Sequence, residues 1–542
     1  MYLETIKSVK KGKTYYTYLI RESYREKGKV KHRTISNVSK LSKKLIQQIS
    51  KMLKGEEGDF NINELENGKS YEYGASYAFL SIARDLGLDK IIYSRREQWR
   101  EDVLAMIIGR ITYQGSKLNL TNIYKDTALW ELAGHEHNVR PDVETHCYAP
   151  MDMLLKRKNR IEKKLAQRHL QDGCIILYDI TNTWVEGAYK DSELASYGGK
   201  PKGGKKGYKI ISIGLLTSKE GCPVGVEVFK GTTSDQATVL GEVKKISKKY
   251  GLKDIIFTGD RGMLTQKRIA EVNRENYKTI TALTHTKINS LVKSGNIKAE
   301  FFDHKKLIEI YDLNDKQIRY VLCKSNVTMQ EERATRAGMI DKVVEKLNKK
   351  AKVKRKRDKS KVSASVGRIF EKYKIEKFFK WKVDERGTLS WSLRKDVIEK
   401  EKALDGCYII RTEVRENRLD KEEVVETYRN LQKVEQAFKN MKTILLELRP
   451  LYHKKDERIK SHIFIIMLAY YIQWHAMQRL KPLFLSDGQG SNKRWNIGIV
   501  IERLKSIRKV ENIIKGTIIK TNISKRDSEQ QRILDLLNVK LE

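Results

Sequence analysis

Cys174-Ile-Ile-Leu-Tyr-Asp179 is an apolar, strand-like run that closes on a carboxylate, and Asp254-Ile-Ile-Phe-Thr-Gly-Asp260, followed by Arg261-Gly262, repeats the pattern further along the chain. An acid at the end of an apolar strand is costly to desolvate unless a cation or hydrogen bonds satisfy it. Around these two runs, between residues 171 and 284, the hydrophobic period changes from helical to strand-like. Strands are expected at 174–180, 208–216, 222–229, 254–259 and 278–283, with helices at 237–250 and 264–275.

Three consecutive strands followed by helix, strand, helix, strand is the order of a ribonuclease-H-like core, an α/β fold built on a mixed five-stranded sheet with helices. In that arrangement the first and fourth strands are neighbours, which would bring Asp179 near Asp260. A third acid, Glu435, lies in a segment with helical periodicity from Lys421 to Lys442. At about 100° per residue, Tyr428, Leu431, Glu435, Lys439 and Lys442 share one narrow face of that helix. A phenol, a carboxylate and two ammonium groups make a poor core stripe. Taken alone, the same face also reads as an exposed helix with a Glu435–Lys439 ion pair. Three carboxylates converging from two strands and a helix suggest a site for divalent metals, which activate water and stabilise charge in phosphoryl transfer.

The other acids of this region read differently. Asp235 is expected to cap the helix that follows it, Glu227 to face solvent from within a strand, and Asp172 and Asp254 to sit in turns. His135-x-His137 lacks a third ligand nearby in sequence and reads as a polar loop.

Charge points to the partner. Lys and Arg number 109 against 69 Asp and Glu, a net charge of +40 over 542 residues. That surplus exceeds what solubility needs and selects a polyanion, most simply nucleic acid. The five cysteines carry no Cys-x-x-Cys pair, so neither a zinc motif nor a disulfide framework is indicated, and a cytoplasmic setting fits. The N-terminus lacks the layout of a secretion signal, and the longest apolar run, 463–472, is too short to span a bilayer.

At the N-terminus, 14–24 and 29–38 form an expected β-hairpin whose second strand presents Lys29, Lys31 and Arg33 on one face, followed by a helix from Ser42 to Leu53. Helices are expected at Ala75–Leu86, Glu97–Ile111 and Met151–Leu170. The Gly198–Gly207 loop, with Lys205 and Lys206, offers glycines and lysines for close approach to a phosphate backbone. Beyond the core come strands at 306–311, 317–323 and 405–413, a helical piece near 327–348, and a cationic run from Lys349 to Lys359 expected as a solvated loop. A buried helix is expected at 456–480, and Ser528 is expected to cap a final helix.

The segments Tyr178-Asp-Ile-Thr-Asn-Thr, Thr258-Gly-Asp-Arg-Gly-Met and Tyr428-Arg-Asn-Leu-x-x-Val-Glu-x-Ala-Phe-x-x-Met-Lys resemble the catalytic motifs of DDE transposases from bacterial insertion sequences. The nearest group has a Tyr-Arg-Glu-Lys signature around its glutamate and a β-rich insertion before it. The resemblance implies that Asp179, Asp260 and Glu435 are the metal-binding catalytic triad, and that Tyr428 and Lys442 are the first and last residues of the signature. Leu431 stands at the signature's arginine position, with Arg429 nearby. Tyr428, Lys439, Lys442 and Arg261 are expected to contact DNA, and the resemblance implies an aromatic residue of the insertion that holds a flipped base. Tyr408 is the candidate for that role, with Trp381 and Trp391 as rivals.

Such relatives cut and rejoin double-stranded DNA with two Mg²⁺ ions, for which Mn²⁺ can substitute, and work on the element's terminal repeats and a target, as a homodimer. A structure-selective nuclease on the same core and an inactive DNA-binding derivative are the alternatives. The expected divisions are 1–70 (basic hairpin and helix, DNA-binding), 71–170 (helical, DNA-binding or dimerisation), 171–284 (first part of the core), 285–420 (β-rich insertion), 421–480 (second part of the core) and 481–542 (C-terminal helical region).

Overall fold

The computed structural model describes residues 1–10, 13–26, 29–56, 65–198, 207–298, 307–353, 358–442, 446–448, 451–485, 494–514 and 517–541. Its centre is an eight-stranded mixed sheet. Five strands come from the expected core, at Cys174–Trp184, Ile210–Ser218, Pro223–Lys230, Ile255–Thr258 and Lys278–Ala282. The third, second, first, fourth and fifth lie side by side in that order. The first pairs antiparallel with the second and parallel with the fourth, as the order of elements anticipates.

Near-continuous apolar runs form these strands because both faces of the sheet are covered. Ile176, Tyr178 and Ile180 of the first strand join Phe257 and Ile255 in one core, against Val239 and Val243 of the Asp235–Lys244 helix and Ile269 of Gln266–Arg274. The intervening Ile175 and Leu177 face the opposite core, with Ile256 of the fourth strand. Tyr178 lies across the second strand, where a Cβ on Gly214 would stand 2.4 Å from its Oη. Only glycine leaves room there.

The insertion continues this sheet. Cys407–Thr412 pairs antiparallel with the fifth core strand, then with Arg319–Lys324, which pairs with Ile308–Tyr311. The sheet therefore has eight strands, and the insertion is not dominated by β-structure. Its largest pieces are helices of 26 and 15 residues, Asn326–Ala351 and Lys359–Tyr373, which pack with the hairpin Phe379–Val383 and Leu389–Leu393 around a separate core. Val343 and Leu347, and Val362, Val366 and Phe370, recur at helical spacing, but dense charge between them hides the period. Lys349 to Ala351 belong to the first of these helices and Asp358 caps the second, so the cationic run is helical at both margins, while 354–357 lie outside the described residues.

Asp456–Arg479 is apolar on nearly every side and is the hub of the molecule. It packs against Gln98–Thr112 and Ala149–His169 of the N-terminal helical block and against the third core strand. The N-terminus forms a three-stranded antiparallel sheet, Tyr2–Lys10, Lys13–Glu26 and Lys29–Asn37, one strand more than the expected hairpin. Leu65–Glu72 crosses the expected boundary at 70 and pairs with Arg508–Ile514, itself paired with Thr517–Ile523. The C-terminal region thus carries strands as well as helices. Among the described residues no helix is long and apolar enough to cross a membrane.

Candidate active site

The parallel pairing of the first and fourth core strands sets the geometry. Cys174 lies opposite Ile255 and Leu177 opposite Thr258, so the ladder leads to Asp179 and Asp260, each two residues beyond its strand's last pair. Side chains alternate along a strand, so Asp179 points to the same side as Ile175 and Leu177. That side is covered by Leu431–Lys442, whose Leu431, Val434, Ala437, Phe438 and Met441 pack into the same core. Glu435 stands exposed on the helix between those anchors. Asp179, Asp260 and Glu435 all line one open cleft of about 830 Å³, together with Tyr428, Arg429 and Lys442.

Hydrogen bonds fix parts of this arrangement. The Arg261 backbone N–H donates to Asp260 Oδ1 at 2.7 Å, and the Asp260 carbonyl accepts from the Met263 and Leu264 N–H groups. Tyr428 Oη donates to Asp260 Oδ1 at 3.3 Å. Burial, then the negative charge of Asp260, with a further contribution from Glu435, push the Tyr428 phenol well above its usual range, against the opposing charge of Arg261. One phenol therefore senses two of the three carboxylates. Lys442 Nζ donates to Thr181 Oγ1 and, at 2.9 Å, to the Asn182 carbonyl, joining the end of the Glu435 helix to the Asp179 strand.

The expected single helix is two, Lys421–Arg429 and Leu431–Lys442, meeting at Asn430. Asn is a weak helix former, and the break falls on it. The predicted stripe survives the break, since Tyr428, Leu431, Glu435, Lys439 and Lys442 all line the cleft.

Two family models match the chain. That described as "IS1634 family transposase, N-terminal domain" matches residues 3–65, and "Transposase DDE domain" matches 170–472. The chain belongs to the DDE transposase family. No curated protein matches this transposase by sequence. Among solved structures, a chain of the piggyBac transposase synaptic complex with hairpin DNA is a distant likeness, with a TM-score of 0.36 and 9% identity over 80% of this chain and 76% of that one.

The remaining expected contacts of the transposase are dispersed. Arg261 and Lys439 are exposed at the cleft. Lys31 and Arg33 lie exposed on the N-terminal sheet, where Arg33 pairs with Glu22 at 2.7 Å. The Lys29 side chain, Lys205 and Lys206 lie outside the described residues. Tyr408 is half-buried in the cleft wall and accepts a hydrogen bond from Arg429 Nη2 at 3.2 Å. Arg429, two residues before Leu431, thus lines the cleft. Trp381 and Trp391 face each other across the insertion's own hairpin and pack into its separate core.

Sequence reasoning overlooked His285 and Glu332, which also line the cleft. They come from the two helices His285–Lys293 and Asn326–Ala351, and no local pattern marks either residue. Several competing acids are accounted for. Asp172 accepts from the Lys253 and Asp254 N–H groups, and Asp254 pairs with Arg418 at 2.9 Å. Glu227 does not simply face solvent but pairs with Lys158 and Lys245. Asp235 lies in the first turn of its helix, with Ser234 in the cap position. His135 is not an isolated loop histidine, because Asp102 and His146 close on it.

Proposed function

We propose that this transposase binds the ends of its element and carries out metal-dependent strand cleavage and strand transfer at the Asp179–Asp260–Glu435 cleft, on a ribonuclease-H-like core. The observation that carries this reading is the register that sets Asp179 and Asp260 at the same end of adjacent parallel strands, beneath the helix bearing Glu435. The donor set is all carboxylate, hard oxygen that suits Mg²⁺. Among the described residues, the trio is not one of the groups whose ligand atoms all lie within 4.8 Å of one another. Asp179, Asp260 and Glu435 would be the residues that hold a pair of divalent ions. When bound, such a pair supplies an activated water or 3′-hydroxyl and stabilises the entering and leaving oxygens of an in-line displacement.

The chain's own residues prepare the site. The Arg261 N–H and the Tyr428 phenol hold Asp260 in one orientation. Lys442 holds the Glu435 helix to the Asp179 strand. Exposed Lys439 and Arg261 at the cleft would neutralise phosphates of the bound duplex, a reading the +40 charge supports. Dimerisation follows from the need to join two ends.

The test uses purified protein with DNA carrying the element's ends and Mg²⁺ or Mn²⁺. Cleaved and joined products are expected from the wild type. Asp179→Ala, Asp260→Ala and Glu435→Gln should each abolish cleavage while sparing DNA binding. Unchanged cleavage in any one of them removes that residue from the site.

A further inference from the structure

Away from the cleft, three distant segments meet at a cluster with different chemistry. His169 ends the Ala149–His169 helix, Cys222 follows the Gly221 turn between the second and third core strands, and His475 lies near the end of the hub helix. A ligand atom from each lies within 4.8 Å of those of the other two. We propose that His169, Cys222 and His475 form a structural Zn²⁺ site that pins the hub helix and the N-terminal helical block to the core sheet.

The donor set is the first argument. One thiolate and two imidazoles are a borderline-soft combination that suits zinc and does not suit Mg²⁺. The site is therefore chemically separate from the carboxylate cleft. No paired-cysteine motif announces it in the sequence, because its ligands are brought together only by the fold.

The second argument is an orphaned atom. His475 Nε2 is buried with no hydrogen-bond partner. A buried polar atom left unpaired calls for an ion or an ordered water. The other such cluster, Asp102, His135 and His146, differs in this respect. Its carboxylate accepts from His135 at 2.6 Å and is 3.2 Å from His146, and none of its atoms is orphaned.

The surroundings suit a metal. Burial, with His169, Arg479 and Arg168 adding to it, holds His475 down to about 4, and burial followed by Arg168 also lowers His169. Tyr471 Oη lies 2.9 Å from His169 Nε2 and steadies that ring, the kind of outer partner metal-bound histidines use. His169 also lines an open groove of about 500 Å³ through which an ion can enter.

The experiment is done on full-length protein without a histidine tag, in an Asp179→Ala/Asp260→Ala background that removes metal uptake at the cleft. Zinc content after dialysis is measured by mass spectrometry, and Co²⁺ is substituted to read a thiolate charge-transfer band. A single equivalent of zinc and a strong band are expected. Cys222→Ser should lose the band, and both Cys222→Ser and His475→Gln should weaken zinc affinity more than the roughly 10–100-fold typical of outer-shell changes. Cys174→Ser should behave as the parent. If Cys222→Ser does not fold, His475→Gln and the zinc dependence of the parent's Tm decide the matter. A parent that retains no zinc, or a His475→Gln variant that retains it equally well, overturns the proposal.

Discussion

Replacing Lys442 with methionine would remove the ammonium that joins the Glu435 helix to the Asp179 strand while keeping most of the aliphatic stem. The ammonium donates to Thr181 Oγ1 and to the Asn182 carbonyl. Hydrogen bonds involving a charged partner contribute about 1.5–3 kcal/mol each. The two share one donor and are not additive, so their joint loss is about 2–4 kcal/mol. Thr181 is buried at the wall of the cleft, and its hydroxyl loses that donor. If about 1–2 kcal/mol of this appears as misplacement of Glu435 in the transition state, cleavage slows about 5- to 30-fold. The assay pairs urea unfolding with cleavage rates at saturating end DNA, and with DNA affinity across a salt series. Lower stability and slower cleavage at an unchanged salt slope are expected. Wild-type stability and rate, with a salt slope smaller by about one phosphate contact, would refute the anchoring role and make Lys442 a DNA ligand.

Other changes test other parts of the molecule. Gly214→Ala should destabilise by about 1–3 kcal/mol in urea unfolding, because the new Cβ would meet Tyr178 Oη; adding Tyr178→Phe should recover part of the loss. Tyr428→Phe deletes the phenol donor to Asp260 and should slow cleavage about 5-fold, the worth of about 1 kcal/mol, with DNA affinity unchanged in a binding titration. Asp420→Ala removes the capping box of the Lys421–Arg429 helix and should cost about 1 kcal/mol by the same unfolding assay. Burial, then Lys117, Arg110 and Arg458, hold His453 down to about 3, against 6.5 for an ordinary histidine. Between those values the unfolded chain takes a proton that the folded chain refuses, so stability should fall as pH drops from about 6.5 toward 3. His453→Asn should flatten that part of the Tm–pH curve.

The five core strands were legible because burial on both faces writes a continuous apolar run ending on an acid. Asp179 and Asp260 followed from that alone, since a carboxylate closing such a run is conspicuous. Glu435 was legible through the stripe around it, although the break at Asn430 was not. The strand Tyr2–Lys10 and the pairing of Leu65–Glu72 with the tail were missed because their partners lie far off in sequence or carry polar, lysine-rich faces. The capping residue of the last helix was misplaced by one position, to Ser528, where Asp527 forms a capping box with Gln530. Arg429 lines the cleft, where its guanidinium donates to Tyr408 Oη at 3.2 Å. His285 and Glu332 carry no local pattern: His285 opens the helix after the fifth core strand, and Glu332 lies on the helix after the added strand Arg319–Lys324.

Leu65–Glu72 pairs edge to edge with Arg508–Ile514. The opening and closing quarters of the polypeptide are therefore zipped together by backbone hydrogen bonds. A version of the protein cut after the hub helix would strip Leu65–Glu72 of that neighbour and leave a row of bare amides and carbonyls able to recruit other molecules. Loss of the last sixty or so residues is therefore expected to promote self-association, which light scattering would read.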